Sequence, residues 1–189
     1  INAFAMGVQY VNPQAKVHVV WSNTWFDPAR EKEAAVSLLD IGADVIAQHQ
    51  DSPAPQQAAE DRGVYSIGYN SDMSAFAPKA FLAAPVWNWG PYYEKIVRSV
   101  MDGTWTNAQY WGGINDGAVD IVLSDLVPSG VAKLVMSMRN AIVKGDMHPF
   151  VGPIYDQAGN LKYAEGEIPS DGDLLSMDWF INNVVGKIQ

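Results

Sequence analysis

Twice in succession a short apolar run breaks into polar and aromatic residues, a helix-length segment follows, and a glycine closes it; a third apolar run comes next. The first unit is Val17-His18-Val19-Val20-Trp21, then a helix from about Ala29 to Ile41 ended by Gly42. Asp27 at the N-cap and Pro28 in the first turn punctuate its start, as helix termini require. The second unit is the strand Asp44 to Gln48, the loop His49 to Ser52, and a helix from Pro53 to Arg62 closed by Gly63. Val64 to Gly68 is the third strand. Repeated βα units of this kind specify parallel strands joined by right-handed crossovers, an α/β architecture with an open parallel sheet and helices on both faces. The near-continuous β-branched run at 17–21 predicts a strand buried on both faces.

Helical spacing of Phe4, Val8 and Val11 predicts a helix over 1–11, before the first strand. In such a sheet a helix in this place follows a strand of its own, so an element is expected upstream of Ile1 and the chain is expected to be part of a larger one. From Ala77 the regularity changes. Pro85 and Pro91 bracket a short strand or connection through Val86-Trp87-Asn88-Trp89, and a helix follows from about Tyr92 to Met101. A strand is expected over 118–123, a helix over 128–144, a hairpin from 150–154 and 161–163, and a last helix over 173–185.

Composition narrows the function. A net charge of -9 argues against nucleic acid and anionic membrane surfaces, since phosphate binding needs a basic face. With no cysteine there are neither disulfides nor thiolate metal sites, and no compartment is implied. His18, His49 and His148 have no ligand-like spacing, so no metal is expected. No apolar run approaches the roughly 20 residues of a membrane span. The chain starts at Ile1 rather than Met, so a missing signal sequence says nothing about export. Neither a nucleophile elbow, a phosphate-cradling glycine loop nor a clustered-aspartate motif is present, and no cofactor or catalytic residue is expected.

In open parallel sheets ligands bind beyond the carboxyl ends of the strands. Three consecutive strand ends carry Trp25, Phe26 and Asp27, then Gln48, His49 and Asp51, then Asn70 and Asp72. Trp87 is taken over Trp89 as a further site candidate. Flat aromatic faces with carboxylates and amides suit a planar polar heterocycle or a polyol better than an anion. The plainer readings stay open: Asp27 and Asp51 as helix caps, Trp25 or Phe26 as core, Asn70 and Asp72 as turn formers. Their joint position favours a cleft.

The stretches Ile1-Asn2-Ala3-Phe4, Trp25-Phe26-Asp27-Pro28-Ala29-Arg30-Glu31-Lys32-Glu33-Ala34-Ala35, Gly42-Ala43-Asp44-Val45, Gly63-Val64-Tyr65, Pro85-Val86-Trp87-Asn88-Trp89 and Leu175-Ser176-Met177-Asp178-Trp179-Phe180 resemble the basic membrane protein (Bmp) family. These are substrate-binding lipoproteins of ABC importers, among them purine nucleoside receptors. The resemblance implies a type I periplasmic-binding-protein lobe, here without the N-terminal lobe. Residues 1–80 and 111–189 would form the C-terminal ligand-binding lobe and its extension, and 81–110 would pack with the absent lobe. It further implies a non-enzymatic, extracytoplasmic receptor, lipid-anchored in the full-length protein, that closes over a purine and delivers it to a permease. The family's base-stacking aromatic matches Phe26, with Trp25 next. Its ribose-contacting acid falls on Asn70, with Asp72 next in that loop, and the lysine of its nucleoside receptors falls on Trp87. Both departures favour a bare, adenine-like base over a nucleoside. The competing functions are a nucleoside-processing hydrolase and the effector-binding domain of a transcription regulator.

Overall fold

The computed structural model describes all residues, 1–189. They form two compact units, Ser22–Lys144, and Ile1–Trp21 with Gly145–Gln189.

The larger unit holds the sheet. Helix α2 (Pro28–Asp40) starts on the Asp27 cap with Pro28 in its first turn, and Gly42 takes the positive φ of 96° that lets the chain turn away at its end. Strand β2 (Val45–Ala47), helix α3 (Ala54–Asp61) and strand β3 (Tyr65–Ile67) repeat the unit, and β2 and β3 pair in parallel. Strand β4 (Phe81–Trp87) pairs in parallel with β3, and β5 (Val119–Leu123) pairs antiparallel with β4, giving the order β2-β3-β4-β5. The core is built from Ala35 and Leu39 of α2, Ile46 of β2, and Ala58, Ala59, Ala77 and Ala80. Five alanines there let the helices approach closely, and full burial of Ile46 contributes about 1.5–3 kcal/mol. Helices α4 (Trp89–Met101) and α5 (Ser129–Lys144) bury no residue completely. On α4, Trp89, Tyr93, Val97, Val100 and Met101 are all exposed.

In the smaller unit, helix α1 (Asn2–Val11) and strand β1 (Val17–His18) accompany a hairpin of β6 (Ile154–Tyr155) and β7 (Leu161–Tyr163), a short helix α6 (Asp171–Leu175) and strand β8 (Val184–Val185). Ala5, Ile154, Phe180, Ile181 and Val184 form its core.

Two local expectations are corrected. The run at 17–21 is paired over only two residues, in parallel with β8, and alternates half-buried and exposed positions instead of being buried on both faces. The expected helix over 173–185 stops after one capped turn. A capping box between Ser170 and Asp173 starts it, but the backbone beyond is engaged by α1. Asn2 donates to the Trp179 carbonyl at 2.8 Å and accepts from the Ile181 N–H at 3.1 Å, while Asn183 donates to the Ala5 carbonyl at 2.8 Å. Asn2 thus holds two backbone groups of the tail that a continued helix would need for itself, and Asn183 ties the tail back to α1.

Candidate ligand-binding site

The first wall is the loop before α2. Trp25 and Phe26 are 65% and 66% exposed, so neither fills the core. Asp27 is extended, with φ -151°. Its Oδ1 accepts from the Arg30 N–H at 3.1 Å, and Arg30 Nε stands 3.7 Å from its carboxylate. Capping is thus the role of this side chain in the structure.

The second wall is the β2–α3 loop. Gln48 Nε2 donates to the carbonyls of Gln50 and Ser52, each at 2.9 Å, which folds the loop back on itself. This loop is fastened to the first: the Asp51 N–H donates to the Trp25 carbonyl at 3.0 Å and Gln50 Nε2 to Ser22 Oγ at 3.0 Å.

The third strand end brings Tyr69 and Asn70. Gly68 sits so close to Phe81, Ala84 and Gln56 that a Cβ there would lie 3.1 to 3.2 Å from each. Tyr69 follows at once, and its ring centroid lies 4.2 Å from that of His49, which on its other flank lies 5.7 Å from Trp25. Asn70 adopts a left-handed φ of 60°, a conformation asparagine tolerates better than most residues and one that clusters at functional sites. Its Nδ2 donates to Asp51 Oδ1 at 2.6 Å, and its carbonyl accepts from the Trp87 N–H at 3.1 Å. Trp87 itself stacks on Trp89 with centroids 5.7 Å apart.

Of the candidates, then, Trp25, His49, Asp51 and Asn70 converge directly, Gln48 shapes the loop beneath them, and Phe26, Asp27 and Trp87 flank them in the chain or through the backbone. Asp72 stands apart. Its Oδ1 accepts from the Ser74 N–H at 2.9 Å, and it lines a separate depression with Ser74, Phe81, Leu123 and Ser124. Tyr69, Ser22, Glu31 and Ser52 are contributors that sequence reasoning missed. Tyr69 precedes Asn70 at the third strand end, but only the fold puts its ring on His49. Glu31, four residues after a cap at Asp27, carried a legible signal, because a carboxylate in the first turn can reach back to the cap N–H.

Burial displaces the two titratable rings of this cluster in opposite directions. Burial holds His49 below its ordinary value, and burial, aided by the charge of Asp51, raises the Tyr69 phenol. At neutral pH both are therefore uncharged, beside one carboxylate and one amide. Asp51 and Asn70 present acceptor oxygens, His49 and Tyr69 can donate, and the rings offer faces.

The profile of the Bmp family, described as ABC transporter substrate-binding protein PnrA-like, matches residues 1–148. A purine-binding protein of Brucella abortus is 42% identical over the whole chain, which spans 54% of that protein. A putative ABC transporter glucose-binding protein of Haloferax volcanii is 36% identical over 90% of the chain and 46% of its own length. The chain thus spans about half the length of these curated relatives. An ABC transporter solute-binding protein of Conexibacter woesei superposes with a TM-score of 0.61 at 20% identity, over 78% of this chain and 52% of that one.

Proposed function

The chain belongs to the PnrA-like Bmp family of ABC transporter substrate-binding proteins, and from that premise we propose that it grips a purine base or nucleoside for import, adenine-like ligands being favoured. It is a binding protein of an extracytoplasmic family and not an enzyme. The observation that carries the proposal is the Asp51–Asn70 pair, closed at 2.6 Å, on a loop whose Asp51 N–H is bonded to the carbonyl of the exposed Trp25. A carboxylate and an amide can read the edge of a heterocycle while an aromatic face stacks on its plane. No lysine or arginine is paired to Asp51 or Asn70, which disfavours a nucleotide.

The remaining parts of the proposal concern the full-length protein. The exposed aromatic and aliphatic face of α4, within the segment 81–110, packs on the lobe formed by the half of the length that this chain does not span. Two lobes close over the ligand, and the closed form docks on a permease. The family resemblance adds a lipid anchor. No helix of this chain is long and apolar enough to cross a membrane.

A sugar is the second reading. Acceptor oxygens on Asp51 and Asn70 would also take neighbouring hydroxyls, and one relative bears a glucose-binding name. Calorimetric titration of the full-length protein with adenine, adenosine and glucose separates the two. The purine reading expects adenine or adenosine to bind and Phe26→Ala to weaken that binding roughly tenfold or more, the worth of one stacked base. Binding of glucose alone would overturn it.

A further inference from the structure

Glu31 lies in the first turn of α2 and is 1% exposed, yet none of the ion pairs in the structure includes it. A buried carboxylate is tolerated only when its oxygens are hydrogen-bonded. One oxygen, Oε1, accepts from the Asp27 N–H at 2.7 Å, which is what a helix N-terminus asks of a first-turn glutamate. The other goes elsewhere. Oε2 accepts from Ser52 Oγ, and Ser52 is likewise 1% exposed. Ser52 Oγ also accepts from the Ala54 N–H at 3.3 Å, and the Ser52 carbonyl accepts from Gln48.

The capping of α2 does not require Ser52, which belongs to the neighbouring βα unit. One carboxylate therefore joins the loop that carries Trp25 and Phe26 to the loop that carries His49 and Asp51, from beneath both. The backbone link from Asp51 to the Trp25 carbonyl spans the same two loops nearer the exposed rings.

We propose that Glu31 and Ser52 are positioning residues that set the spacing between the aromatic wall and the Asp51–Asn70 pair, and so determine ligand affinity without touching ligand. This rests on the reading of that pair and those rings as the ligand site. A buried side-chain hydrogen bond is directional and costly to leave unmade, so it defines one loop-to-loop distance where an apolar contact would allow several.

Ser52→Ala cuts this link and leaves Asp27 and Glu31 to cap α2; Ser52→Thr restores the hydroxyl. Three measurements on the full-length protein decide the matter: affinity for adenine and adenosine, amide hydrogen exchange at Asp51, and exchange at Ser66, whose N–H donates to the Ala80 carbonyl at 2.8 Å inside the core. The expected result is that Ser52→Ala binds about tenfold more weakly or worse, loses protection at Asp51 and keeps it at Ser66, while Ser52→Thr recovers most of the affinity. If protection falls equally at Asp51 and Ser66, the hydroxyl serves general stability and the positioning role is overturned. If Phe26→Ala weakens purine binding but Ser52→Ala binds like the parent with Asp51 still protected, the positioning role falls and the site reading stands. If the parent binds neither purine, both fall together.

Discussion

Asn70 is the residue on which most of the specificity argument turns. Its left-handed backbone aims the amide at Asp51 and the carbonyl at the Trp87 N–H, so one residue connects two strand ends. An aspartate here would face the Asp51 carboxylate across the distance now spanned by a 2.6 Å hydrogen bond. Two carboxylates that close share a proton, and one of their pKa values rises. The variant Asn70→Asp should accordingly bind adenine poorly at pH 7 and recover as the pH falls, because the singly protonated pair restores one donor and the acceptors. Titration calorimetry at pH 7 and at about pH 5, where a raised carboxyl regains its proton, checks this; an unchanged affinity at both values would show that the pair does not face the ligand. The same residue marks a limit of sequence reasoning. Asn70 was legible as a loop residue of interest, but a hydrogen bond to a side chain nineteen positions earlier depends on how β2 and β3 are brought side by side.

At the scale of elements, β5 and α5 are joined by Arg139, which donates from Nε and Nη2 to the Asp120 carboxylate at 2.6 and 2.7 Å. Hydrogen bonding from the guanidinium holds the Asp120 carboxyl below its ordinary value. A depressed carboxyl stabilises the folded state fully above the range where an unfolded aspartate titrates, and that stabilisation fades as the pH falls through the lower native value. Asp120→Asn should therefore lower stability to denaturant at neutral pH, with the difference from the parent shrinking below about pH 4. A difference independent of pH would mean the side chain acts through packing. The elements themselves were legible to very different degrees. The βα units were readable because Asp27, Pro28, Gly42 and Gly63 are local punctuation, and local chemistry is what a sequence displays. The tail was not, since the backbone at Trp179 and Ile181 is bonded to Asn2, more than 170 positions away, a partner no local pattern shows. The run at Val17 failed for a related reason: apolar residues report a tendency to be buried, not which strand pairs with them.

For the whole molecule, the acidic balance of 21 carboxylate side chains against 12 basic ones disfavours an anionic ligand. The chain spans about half the length of its curated relatives, and in the proposed reading the bare face of α4 meets a second lobe. In that reading the loops carrying Trp25, Phe26, Asp51 and Asn70 form one side of the proposed cleft. Full-length protein purified without added ligand, denatured, and its small-molecule content identified by mass spectrometry, reads the specificity directly. The expected content is a purine base or nucleoside, with adenine foremost; recovery of a sugar or an amino acid in its place would contradict the purine reading.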